Sequence, residues 1–230
     1  NQELKKEWLP QLMEGTKRIT LALDEHTYFD PTAIATTAIS TSNGYTLSGK
    51  KTMIIDGASA DAFIVVAKTE EGEAALFMVA SGSKGITVTT DVLLDAGTYA
   101  TVVFDQVVIA ATDRISGAGE GTALLNDILN TASICLSAEM LGMITEAFGQ
   151  TVAYLKEREQ FGKRIGTYQA LQHRAAIMFS EIELCKSIVI QALQALDSDA
   201  DDIDQLASLA KAKLGKTIKL VTNEAMQMHG

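Results

Sequence analysis

Both prolines of this 230-residue chain, Pro10 and Pro31, fall near its start, so from Thr32 onward no ring locks φ or removes a backbone donor. Long helices are open to everything downstream, yet the apolar spacing takes them up only in the second half. From Ile19 to about Ile115, runs rich in β-branched residues, such as Ala62-Phe63-Ile64-Val65-Val66-Ala67 and Ala75-Leu76-Phe77-Met78-Val79, alternate with turn-formers at Ser42-Asn43-Gly44, Glu71-Gly72 and Ser81-Gly82-Ser83. That texture predicts short, mostly antiparallel strands in a small barrel or sandwich. After Gly117-Ala118-Gly119-Glu120-Gly121 the apolar residues recur at three- and four-residue steps. One helix is expected to end near Glu157, a second to cover about 168–196 and a third to run from Ile203 to about Met228 with Leu206, Leu209, Ala210 and Leu214 on its inner face. Short connections make them an antiparallel bundle. Residues 3–15 read as a short amphipathic helix stopped by Gly15.

With 47% apolar side chains the chain has enough hydrophobic surface for one sizeable core or two smaller ones. A formal charge of −10 argues against nucleic acid or an anionic membrane as a partner, since both require clustered Lys and Arg. Cys135 and Cys185 lie far apart within apolar, helix-like stretches and read as buried free thiols, which fits a cytoplasmic setting. No apolar run approaches the roughly 20 residues that span a bilayer, so membrane insertion is not expected.

Most local features have plain explanations. The acidic connection Asp197-Ser198-Asp199-Ala200-Asp201-Asp202 lacks the glycine and closing glutamate of a calcium loop and reads as a solvated helix connection. His26, His173 and His229 share no ligand spacing with one another or with the cysteines, so no metal site is expected. The segment Tyr154 to Ile165 is different, because Lys156, Arg158, Lys163 and Arg164 gather with Phe161 around a glycine turn at a helix end. Cations favour a helix C-terminus for electrostatic reasons alone. Arginine also presents a fork of donors suited to phosphate, and the residues by themselves favour neither account.

Arg158-Glu159-Gln160-Phe161-Gly162, Gln169 eleven positions after the arginine, and Gln227-Met228-His229-Gly230 together resemble the acyl-CoA dehydrogenase signature. Asn43-Gly44-Tyr45-Thr46-Leu47-Ser48-Gly49-Lys50-Lys51, Ala60-Asp61-Ala62 and Val103-Phe104-Asp105-Gln106-Val107-Val108-Ile109 are similar to that family's middle domain. The resemblance covers essentially the whole chain. It implies an α+β fold in which a mostly antiparallel β-barrel is followed by an antiparallel helical bundle. Residues 1–18 would close an N-terminal helical domain, 19–116 form the middle domain, and 117–230 form an incomplete C-terminal bundle.

The resemblance further implies FAD as cofactor, held by Arg158, Gln160 and Phe161 at its pyrophosphate and adenine half, with Gln169, Gln227 and Gly230 around it. In the family these groups reach the flavin of a neighbouring subunit, so a homo- or hetero-tetramer is expected. The implied reaction is α,β-dehydrogenation of an acyl-CoA, of fatty or sterol side-chain type, with electrons passing to an electron-transfer acceptor protein. Asp24 and Ile55 are carried over as flavin-facing positions, although Asp24-Glu25-His26 stands where the family has Thr-Glu-Pro, and Met53-Ile54-Ile55 where it has Trp-Ile-Thr. An ionised Asp24 would set an anion beside a ring that gains electrons. Ala132-Ser133 occupies a place where some members carry a catalytic glutamate, so no catalytic base is assigned. These departures suggest a degenerate partner subunit of a heteromeric enzyme, and an ordinary homotetramer whose base lies past residue 230 is equally open. A flavin-dependent monooxygenase of the same fold and a non-catalytic assembly subunit are the alternatives.

Overall fold

The computed structural model describes residues 1–95, 97–198 and 200–230. They form two compact units, Asn1–Leu125 and Asn126–Gly230.

The first unit opens with helix α1 (Gln2–Met13), capped by the Asn1 side chain, which accepts from the amides of Glu3 and Leu4. Seven strands follow: β1 (Ile19–Ala22), β2 (Thr37–Thr41), β3 (Gly44–Ile55), β4 (Ala62–Lys68), β5 (Ala74–Ala80), β6 (Ile86–Asp91) and β7 (Tyr99–Ala110). They pair in the order β1-β4-β2-β3-β7-β6, with β5 on β4. Most pairs are antiparallel, as expected. The exceptions are β1 beside β4, with Ile19 opposite Ala62, and the single parallel match of Thr37 to Lys68. One edge of β4 thus serves β1 and then β2. The Thr20 hydroxyl donates to Ile55 O at 2.7 Å, so β1 also touches the end of β3 and the sheet curls around its core. That core is filled by alternate residues of the strands, including Leu47, Phe63, Val65, Phe77, Val102 and Phe104.

The β3–β7 ladder slips between Lys51 and Ile54, where Thr52 and Met53 form a bulge and Met53 takes φ of 53°. The bulge lets both Lys51 and Ile54 point inward while Met53 and Ile55 are exposed.

Helix α2 (Gly121–Glu157) begins in the first unit and continues into the second. A two-strand ribbon, β8 (Glu159–Gln160) and β9 (Lys163–Arg164), leads to α3 (Gln169–Ser198) and α4 (Ile203–His229). The predicted helices are therefore present, with ends within a few residues of those expected. Met140, Ile144 and Leu155 of α2 pack with Met178, Ile182, Cys185 and Val189 of α3 and Leu214 and Val221 of α4. Arg174 pairs with Glu224 at 2.5 Å and Lys213 with Glu181 at 2.6 Å, tying α3 to α4. Asp199 of the acidic connection lies outside the described residues.

Three expectations need correction. Cys135 is exposed, because the buried stripe of α2 runs through Ile134, Ser137, Met140, Ile144, Thr151 and Leu155 and leaves position 135 to one side; only Cys185 is buried. Leu209, expected on the inner face of α4, is half exposed because Ala207 and Ala210 hold that face. Finally, α2 is long and apolar enough, by length and composition, to cross a bilayer. Its apolar residues are spread round the helix and interrupted by polar ones, so they form no unbroken run in the sequence.

Candidate functional site

At the end of α2 the Arg158 amide still bonds back to Tyr154 O at 2.9 Å, while Arg158 O accepts from Ile165 N at 2.9 Å. These bonds root the ribbon, in which Glu159 faces Arg164 and Gln160 faces Lys163. Its two tip residues, Phe161 and Gly162, have φ of 56° and 76°, the handedness that suits a two-residue hairpin. Glycine adopts that conformation freely, whereas a phenylalanine there costs about 1 kcal/mol. The Phe161 ring is also 91% exposed, so burial among the described residues does little to offset the strain. No ion pair among the described residues engages Arg158, and Lys163 stands 4.2 Å from the centre of the Tyr168 ring.

The other positions singled out in this half of the sequence come to the same end of the unit. Tyr154, one turn before Arg158, stacks on His229 with ring centres 4.4 Å apart, and its hydroxyl donates to His229 O at 3.4 Å. The last turn of α4, with Gln227 and Gly230, is thereby fixed beside the end of α2. Gln169 is the first residue of α3, separated by Tyr168 from a 3-10 turn at Ile165–Thr167. That turn lies so close to α2 that a Cβ on Gly166 would fall 2.7 Å from Leu155 O. Arg158, Gln160, Phe161, Gln169, Gln227 and Gly230 are all exposed there. The end thus offers an exposed guanidinium, an exposed aromatic and three amides, which suits a phosphorylated, aromatic ligand.

The first unit holds a separate polar cluster after β1. Lys51, completely buried, donates to Glu25 Oε1 at 2.7 Å and to Leu23 O at 2.9 Å. Glu25 also accepts from the amides of Ala35 and Thr36, at 2.7 and 3.0 Å. Burial pulls the Glu25 carboxyl up, but the hydrogen bonds from Lys51, Thr36 and Ala35 together outweigh it and hold the group below its usual range. Burial likewise pushes the Lys51 ammonium below its usual range, partly offset by Glu25 and Asp24. Asp24 O accepts from Thr52 N at 2.7 Å, whereas Asp24 Oδ1 is buried with no partner among the described residues. Burial raises the Asp24 carboxyl and the charge of Lys51 opposes this, so it is a weaker acid than the sequence suggested. Beside the cluster, a groove of about 650 Å³ is lined by His26, Tyr28, Met53, Val92, Leu93 and Thr101, among others, with His26 and Tyr28 stacked 5.2 Å apart. Ile55 is exposed just past the bulge.

Residues 22–107 match the sequence model of the acyl-CoA dehydrogenase middle domain, and residues 119–230 that of the acyl-CoA dehydrogenase C-terminal domain. The chain belongs to the acyl-CoA dehydrogenase family. It is 28% identical over 236 residues to a 3-(aryl)acrylate reductase of Clostridium sporogenes, covering 99% of this chain and 62% of that protein. It is 30% identical over 211 residues to an L-prolyl-[peptidyl-carrier protein] dehydrogenase of Serratia sp., covering 86% of this chain and 55% of that protein. The chain therefore spans little more than half the length of these relatives. Among solved structures, the FAD complex of PigA superposes with a TM-score of 0.94 at 28% identity, over 100% of this chain and 62% of the other.

Two features of this acyl-CoA dehydrogenase chain were missed in the sequence. Lys51 lies at even spacing from the inward-facing Leu47, so strand alternation pointed it into the core, where only a carboxylate partner makes it tolerable. The contact of Tyr154 with His229 joins residues 75 positions apart and left no local signal.

Proposed function

We propose that this chain is part of a flavin-dependent oxidoreductase subunit that binds FAD and acts on the α,β carbon–carbon bond of an acyl thioester. The observation that carries the reading is the end of the helical unit, where Arg158 has no ion-pair partner among the described residues and Phe161 is held exposed at a strained hairpin tip. Its donor set fits a dinucleotide: Arg158 and the Gln160 amide for the pyrophosphate, and the Phe161 ring for the adenine face. Gln169 and the Gln227–Gly230 turn complete the rim. By resemblance this end serves the FAD of a neighbouring subunit, which makes the working form an oligomer.

FAD, when bound, supplies the electron sink. This chain's residues hold and orient it, and in the first unit the bulge at Thr52–Met53 leaves Met53 and Ile55 exposed as an apolar surface for a flat ring. Relatives named as a 3-(aryl)acrylate reductase and as an L-prolyl-[peptidyl-carrier protein] dehydrogenase support redox chemistry that runs in either direction. At Ala132 and Ser133 there is no carboxylate to remove an α-proton, and the Ser133 carbonyl is occupied by the Ser137 hydroxyl at 2.7 Å. The departures at Asp24 and at Met53–Ile55 support reading the chain as a degenerate partner subunit of a heteromeric enzyme whose electrons leave to an electron-transfer protein. The test is anaerobic mixing of the purified, FAD-loaded chain with a panel of acyl-CoA thioesters while the flavin band is followed. The reading expects FAD to bind and its band to persist until a catalytic partner subunit is added. Bleaching by the chain alone would show a competent site and remove the degenerate assignment.

A further inference from the structure

The groove beside the bulge in β3 has a cation left over. Two acids line it and both are engaged: Glu25 by Lys51 and the amides of Ala35 and Thr36, and Asp91 by the Thr101 hydroxyl at 2.8 Å. The Thr52 hydroxyl is taken up by the carbonyls of Asp24 and His26, at 3.5 and 3.4 Å. Lys50 lines the groove as well, exposed on the outer face of β3, whereas the next residue, Lys51, turns inward. No ion pair among the described residues takes the Lys50 ammonium. The charge that this groove has to offer a ligand is therefore positive, and a single ammonium matches a single carboxylate.

The rest of the lining sets the shape of what fits. The rings of His26 and Tyr28 lie 8° from parallel, and Tyr28 is 63% exposed, so the pair presents flat aromatic surface. Val92 and Leu93, just past β6, and Met53 of the bulge also line the groove and are exposed, Val92 at 92%. A planar ring laid on the aromatic pair gains stacking and covers apolar side chains that water now wets. The volume of about 650 Å³ lies within the range that small-ligand sites occupy. We propose that this groove binds a planar aromatic carboxylate, with its ring against Tyr28 and the apolar side chains and its carboxylate on Lys50. The site belongs to the first unit and does not rest on the FAD reading, with which it shares Met53.

The test titrates 2-naphthoate into the whole chain, without added flavin, by isothermal calorimetry. The proteins are the wild type, Lys50→Met, which keeps the stem and removes the charge, Tyr28→Leu, which removes the ring, and Tyr28→Phe, which keeps it. Both positions are exposed, and circular dichroism confirms that each variant is folded. The wild type should bind 2-naphthoate saturably, and Lys50→Met should weaken it about tenfold. The uncharged analogue 2-naphthalenemethanol should bind the wild type about tenfold more weakly than the acid, and Lys50→Met should no longer tell the two apart. Tyr28→Leu should lose about fivefold and Tyr28→Phe should stay near the wild type. Equal affinity in Lys50→Met, no loss in Tyr28→Leu, or no saturable binding with a Kd below about 1 mM would each overturn the proposal. Repeating the titration on the FAD-saturated chain separates this site from the FAD reading. Affinity should hold within about twofold. Displacement of 2-naphthoate by FAD would give the groove to the flavin, overturning this proposal and leaving the FAD reading standing. Saturable 2-naphthoate binding by a chain that takes up no FAD would contradict the FAD reading and support this site.

Discussion

Lys51 and Glu25 carry the clearest energetic consequence of any two side chains in the first unit. Removing the lysine leaves a carboxylate 7% exposed with its main donor gone, so Lys51→Met should destabilise the chain by about 3–5 kcal/mol in denaturant unfolding. Lys51→Met with Glu25→Leu should recover most of that loss, since the buried charge then goes with its partner. The pair also sets a pH dependence. Glu25 is held below its unfolded value, so it binds a proton less readily when folded than when unfolded. Its contribution is present above the ordinary glutamate range and is lost as pH falls through its folded value. An acid unfolding series should show this limb in the wild type and not in the double variant. The even spacing of Lys51 from Leu47 was a signal of its inward position that went unread. The identity of its partner left no such signal, because Glu25 reaches it from a loop 26 residues away whose path no periodicity records.

Among the elements, the ribbon after α2 shows where local rules and function part. Phe161 breaks the preference against a bulky residue at positive φ. Phe161→Gly should therefore raise the stability of the chain by about 1 kcal/mol in thermal or denaturant unfolding. The same variant should weaken FAD binding in a fluorescence titration, and that opposed pair of signs distinguishes a ligand-binding aromatic from a merely tolerated one. Gly166 acts differently, through packing. Gly166→Ala sets a methyl against the Leu155 carbonyl, a backbone atom with no freedom to yield, and should cost about 1–3 kcal/mol. Displacing the turn should also move Gln169, which a chemical-shift comparison across the start of α3 would register. The helices and most strands could be read from spacing because each buries one repeating face. Cys135 misled the reading because α2 is apolar nearly all round, so period alone does not say which stripe is inner; Ser137 and Thr151 lie in the buried stripe, with their hydroxyls bonded to Ser133 O and Ala147 O. The parallel match of β1 to β4 was hidden for another reason: nothing in a strand's sequence states which distant edge it joins.

At the scale of the molecule, each of the two units carries its own candidate surface. The curled sheet contributes the bulge and the Glu25–Lys51 pair, and the helical unit contributes an end where α2, α3 and α4 present Arg158, Gln169 and Gln227. Six scattered residues of the sequence meet at that end because three antiparallel helices necessarily alternate which terminus they place there. The measurement that tests this most directly is FAD retention, by visible spectrum and equilibrium titration, for the wild type and Arg158→Ala. The account predicts that the wild type binds FAD and that Arg158→Ala loses about 2 kcal/mol of affinity, near thirtyfold, with unfolding stability unchanged. Equal FAD affinity in the two proteins, or no FAD bound by the wild type in any oligomeric state, would contradict it.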